Sequence, residues 1–185
     1  MEISREAENR LKKIEEYERL GLFDKDINDD PPTRPLKVGE VDYTYEKFTS
    51  RIGAFLANKI GSAHFEKMIK KGDVVLKEIR GRENLEKIQN IGALVTCNHF
   101  SVFDNYAVYK ALSPMLGKRN LYKIIREGNF TSFPGLYGYL FRHCNTLPRS
   151  SSLSCMKELW TALHRLFERG ETVLIYPRAG HVAQL

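Results

Sequence analysis

At 185 residues the chain has room for one domain with a real hydrophobic core, and its 42% hydrophobic and 28% charged residues exclude a disordered chain, a collagen-like one and a polytopic membrane protein. The formal charge of +6 points to anionic partners, whether phosphate-bearing substrates, anionic lipid or nucleic acid, without choosing among them. Cys97, Cys144 and Cys155 stand at spacings that suit neither a metal nor a redox pair, and they read as free thiols of a reducing cytosol.

The N-terminus is charged from its second residue and has no apolar stretch of signal-peptide type. No window approaches the ~18 apolar residues of a membrane-spanning helix, so work on lipid is expected from the surface. Residues 4–20 read as a charged helix with a thin apolar stripe (Ala7, Leu11, Ile14, Tyr17) closed by Gly21. Residues 24–40 form a Pro- and Asp-rich connector without regular structure. A second helix is expected from about Tyr45 to Lys71, ended by Gly72. Its apolar side carries Phe48, Ile52, Phe55, Leu56, Ile60, Phe65 and Met68, and its other side Arg51, Lys59, Lys67, Lys70 and Lys71. Such a helix can lie on an anionic membrane, although packing on its own domain is the commoner use.

From Asp73 short apolar runs alternate with helices. Strands are expected at Val74–Ile79, Gly92–Cys97, Leu121–Ile125 and Thr172–Tyr176, and helices at Asp104–Leu112 and Leu153–Glu168. The pattern predicts an α/β fold: a mixed, largely parallel sheet flanked by helices, with the two N-terminal helices as an appendage. Residues 1–72 form the helical region and residues 73–185 the main domain. The apolar run Phe133–Phe141 is expected to pack in the core, with a groove for an apolar ligand or contact with lipid as the alternative.

The chemistry concentrates in Thr96–Tyr106, which follows a buried-looking strand and opens a helix. His99 and Asp104 flank that turn, and a carboxylate folded back onto one imidazole nitrogen leaves the other as a general base. A histidine hydrogen-bonded at a strand end and an aspartate capping a helix explain the same residues. His64, His143 and His164 have no companion at ligand spacing, and no metal site is expected.

Asn98-His99-Phe100-Ser101-Val102-Phe103-Asp104 resembles the Asn-His-x-Ser-x-x-Asp block of the glycerolipid acyltransferases, the family of 1-acyl-glycerol-3-phosphate and lysophospholipid acyltransferases. Upstream, Gly81-Arg82-Glu83-Asn84-Leu85 is similar to the family's Gly-x-Glu-Asn-Leu. Downstream, Arg126-Glu127, Phe133-Pro134-Gly135 and Cys144 to Arg149 stand at family-like spacing, so the likeness covers roughly residues 73–177. The resemblance implies transfer of a fatty acyl group from an acyl thioester, coenzyme A or acyl-carrier protein, to a lysophospholipid-like hydroxyl. His99 would be the base and Asp104 its orienter. Arg149, with Arg126 as a second candidate, would bind the acceptor's phosphate, and Asn98 and Ser101 would line the site. It also implies an anionic membrane as partner, a peripheral place on the cytoplasmic face, and no cofactor beyond the donor.

Where the family's third block reads Pro-Glu-Gly, this chain reads Pro177-Arg178-Ala179-Gly180 and then ends at Leu185. The expectation is a domain lacking its C-terminal part, with an inactive lipid-binding relative as the alternative function. The basic residues are dispersed, with no aromatic–basic interleaving, so no nucleic-acid partner is expected.

Overall fold

The computed structural model describes residues 5–22, 33–88, 91–99 and 103–177. The helices are α1 (Arg5–Arg19), α2 (Phe48–Lys71), α3 (Asp104–Leu116), α4 (Glu127–Ser132), α5 (Gly135–His143) and α6 (Leu153–Glu168), and a 3₁₀ helix runs from Arg82 to Ile88. Four strands, β1 (Ala93–Thr96), β2 (Leu121–Arg126), β3 (Thr146–Arg149) and β4 (Thr172–Ile175), form one sheet in the order β1-β4-β2-β3. Every pairing is parallel, so the expected mixed character is absent among the described strands.

A parallel sheet must be covered on both faces. On one face α6 sets Leu159, Ala162, Leu163 and Leu166 against Tyr122, Leu147 and Val173. These four follow the i, i+3, i+4, i+7 spacing of a helix with one buried stripe. On the other face α3 sets Leu112, Met115 and Leu116 against Leu121 and Leu174. That burial carries α3 a turn past the expected Leu112 and through Pro114.

Val74–Ile79 is not a strand. It runs as irregular chain and joins none of the four described strands, with Val75 69% exposed. The run is apolar enough for a strand, but a strand also needs a ladder partner.

The segment before α2 is tied to the sheet. Tyr43 Oη donates to Pro148 O (3.0 Å), and Tyr45 Oη accepts the N–H of Thr146 (2.9 Å). Asp42 accepts the N–H groups of Glu46 and Lys47, and Tyr45 sits at φ 52°. That turn delays α2 to Phe48 instead of the expected Tyr45. At the far end Gly72, at φ 81°, closes the helix with its N–H on Ile69 O.

The face α2 buries is only in part the expected one: Phe65 and Met68 are half-buried, Phe65 stacking on Tyr106 at 4.9 Å, and the basic residues stay exposed, but the rest of the expected apolar side does not turn inward. Ala54, Ala57 and Gly61 are buried, whereas Phe48, Ile52, Phe55, Leu56 and Ile60 are 43–74% exposed. Small residues win because α5 comes close: a Cβ on Gly53 would sit 2.9 Å from His143 Nδ1, and one on Gly61 3.4 Å from Leu140. Within the run Phe133–Phe141, α5 starts at Gly135 and sets Leu140 in the core, while Leu136 and Tyr137 stay exposed.

Candidate active site

Because all four strands run the same way, their carboxyl ends share one edge, where open α/β sheets present reactive groups. β1 leads there to Asn98 and His99, β2 to Arg126, β3 to Arg149 and β4 to Tyr176.

His99 Nδ1 lies 3.1 Å from Asp104 Oδ2. The carboxylate accepts the Nδ1 hydrogen, which selects the tautomer and leaves the Nε2 lone pair free to take a proton. The two side chains keep 31% and 22% exposure, so the pair is sheltered yet reachable. Asp104 is the first residue of α3, and the cap position belongs to Phe103, whose side chain caps nothing. The carboxylate therefore acts on the imidazole from the positive end of a helix dipole.

Tyr176 lies flat against His99, with ring centroids 4.3 Å apart and planes 20° from parallel. Its hydroxyl donates to Asn105 Oδ1 at 3.2 Å. Burial above all, with Cys97 and Asp104 adding to it, raises the phenol's pKa and keeps it a neutral donor. Sequence reasoning missed this contact. The available signal was an aromatic residue placed directly after the buried run Thr172–Ile175. Cys97 donates its thiol hydrogen to Asn98 O (3.1 Å), and burial followed by Asp104 pushes its pKa up. A thiol held protonated is a poor nucleophile.

Arg126 and Arg149 are register partners at the ends of β2 and β3. Arg149 is exposed and makes no hydrogen bond or ion pair with the described residues, whereas Arg126 is half-buried at the head of α4. β1 and β3 are three strand spacings apart, about 14 Å. The structure thus joins His99 to Asp104 and Arg126 to Arg149, and holds the two pairs apart across the edge. Asn98 is exposed beside the dyad. Ser101 and residues 178–185 lie outside the described residues.

A family model described as Acyltransferase matches residues 77–183, more than half of the chain and every strand of the sheet. No curated protein and no solved structure matches the chain.

Proposed function

The chain belongs to the acyltransferase family, whose members carry an acyl group from a donor to an acceptor, and from that premise we propose that His99 and Asp104 are the general-base pair of the transfer. The 3.1 Å contact at the carboxyl edge of the sheet carries this reading. His99 Nε2 takes the proton of the acceptor hydroxyl as its oxygen attacks the carbonyl of an acyl thioester. The carbon–sulfur bond breaks, and the departing thiolate takes the proton back from the imidazolium, leaving an ester and a free thiol. Asp104 stabilises the charged ring between these steps. Tyr176, stacked on the ring, holds its plane.

The acceptor is a lysophospholipid or glycerol-phosphate type of alcohol, with Arg149, helped by Arg126, on its phosphate. The arm of Arg149 and the acceptor's glycerol phosphate together bridge the gap to His99. Coenzyme A or acyl-carrier protein serves as donor, and the transfer needs no further cofactor. No described helix is long and apolar enough to cross a membrane. Instead, the outward apolar residues of α2, with the exposed Lys67, Lys70 and Lys71 further along the helix, support peripheral contact with an anionic membrane, placed in this reading on the cytoplasmic face.

Thiol release from acyl-coenzyme A or acyl-carrier protein, with and without a lysophospholipid, is the test. Release needs the acceptor, and His99→Ala lowers it by about 10²–10⁴-fold; equal release by that variant sinks the reading. A second reading, lipid binding without turnover, is favoured by Arg178 standing where the resembled family carries glutamate. It predicts salt-sensitive binding to anionic vesicles and no thiol release from any donor.

A further inference from the structure

The amino ends of the same strands border a different feature. A cavity of about 730 Å³ opens between α2 and that edge of the sheet, within the size range of small-molecule sites. Leu121 lines it, whereas Arg126 ends β2 at the opposite edge. At about 3.3 Å per residue the two are about 16 Å apart.

Five cationic side chains line the cavity, Arg51, Lys59, Arg119, Lys123 and Arg169, against a single carboxylate, Glu171. Two of the five are engaged. Arg119 donates to the carbonyls of Met115, Leu116, Ile91 and Gly170, and Arg169 pairs with Glu46. Glu171 accepts the N–H of Asn120 at 2.7 Å. The side chains of Arg51, Lys59 and Lys123 make no hydrogen bond or ion pair with any described residue.

Lys123 is the informative member. It lies within β2, with Thr146 of β3 and Leu174 of β4 as its Cα partners, so strands enclose it on both sides. Lys123 is half-buried, and a partly desolvated ammonium without a partner gains from a counter-charge. Burial lowers its pKa, and the neighbouring group that opposes this is Cys144, a thiol whose own pKa burial raises. Glu171 is the one carboxylate among the described residues lining the cavity, and it is taken up by the N–H of Asn120. An anion in the cavity would supply the missing charge. Three donors, two on α2 and one on β2, suit a phosphate, whose several oxygens accept from several directions, better than a two-oxygen carboxylate.

We propose that this cavity binds the phosphate group of a small molecule or lipid head group, with Lys123 on its wall and Arg51 and Lys59 contributed by α2. The site is separate from the His99 edge and does not depend on the chemistry assigned there.

Calorimetric titration of the full chain with inorganic phosphate tests the site. Saturable binding is expected, about tenfold weaker in Arg51→Gln or Lys59→Gln, lost in Lys123→Met, and retained in His99→Ala. Thermal unfolding checks that Lys123→Met is folded; should it fail, the Arg51→Gln/Lys59→Gln double variant carries the test. Absence of saturable binding overturns the site, as does binding that survives the double variant. Binding abolished by Arg149→Ala would put the anion at the other edge and overturns it equally. Competition separates the sources. Displacement by glycerol 3-phosphate but not by phosphatidylglycerol vesicles assigns a soluble phosphate ester. Displacement by those vesicles, and not by phosphatidylcholine ones, assigns a lipid head group. Because His99→Ala retains the binding, its failure and that of acyl transfer are told apart.

Discussion

Thr172 opens β4 with its hydroxyl sealed inside the sheet and without a hydrogen-bond partner among the described residues. Replacing it by valine keeps the shape and removes an unpaired polar group. Thr172→Val should therefore raise stability to urea by about 1 kcal/mol. The dyad responds the other way. Asp104→Asn preserves volume but loses the charge that stabilises an imidazolium, and thiol release should fall by about 10²–10⁴-fold while the unfolding midpoint barely moves. A matching fall in stability would mark Asp104 as structural instead. Tyr176→Phe keeps the stacked ring and loses only the bond to Asn105, so it should retain far more activity than Tyr176→Ala. His99 and Asp104 were legible in the sequence because one turn brings them together over five residues. Tyr176 was not, because its approach to His99 depends on β1 pairing with β4.

Elements differ in how well their patterns announced them. α6 was readable as a helix because one of its faces meets one sheet face, and Leu166, fully buried, ends its buried stripe. Leu166→Ala should cost about 2–5 kcal/mol in denaturant unfolding. The orientation of α2 was not readable, since large apolar residues ordinarily point inward and here the close approach of α5 demands small ones. Gly92, just before β1, is another such approach: a Cβ there would lie 2.4 Å from Phe167 O and 2.7 Å from its Cα, both backbone. Gly92→Ala should destabilise the chain by about 1–3 kcal/mol. Because the strand it displaces leads to His99, acyl transfer should fall in the folded fraction as well. Val74–Ile79 failed as a strand for want of a neighbour, which no local pattern reveals.

Across the whole molecule, the strap formed by residues 33–47 fastens distant elements by polar contacts. Leu36 N–H donates to Glu127 Oε1 (2.6 Å), and Gly39 N–H donates to Glu158 on α6 (3.0 Å). Within the strap Glu40 pairs with Arg34 and accepts the N–H of Lys37 (3.0 Å). The Arg34 hydrogen bond is the main cause of the Glu40 carboxyl falling to about 2 from an ordinary 4.5. A carboxyl lowered on folding contributes stability above pH 4.5 and loses it as the pH falls toward 2. Urea midpoints should drop across that window, and Glu40→Gln should flatten the drop; an identical profile would remove Glu40 from the account. The α/β class and the parallel bias were legible from the alternation of strands and helices. The order β1-β4-β2-β3 was not, because pairing between strands far apart in the chain leaves no local trace.

That order also sets a timetable. β1 has β4 as its described neighbour in the sheet, although Ala93 and Thr172 are about 80 residues apart and α3, β2, α4, α5, β3 and α6 are made between them. Translation proceeds at about 5–20 residues per second, so a nascent chain carries β1 unpaired for about 4–16 s before its partner exists. For that interval His99 and Asp104 have been synthesised but lack both the strand that fixes their own and the ring that covers them. Under the proposed general-base reading, competence of the pair therefore waits for β4 to dock.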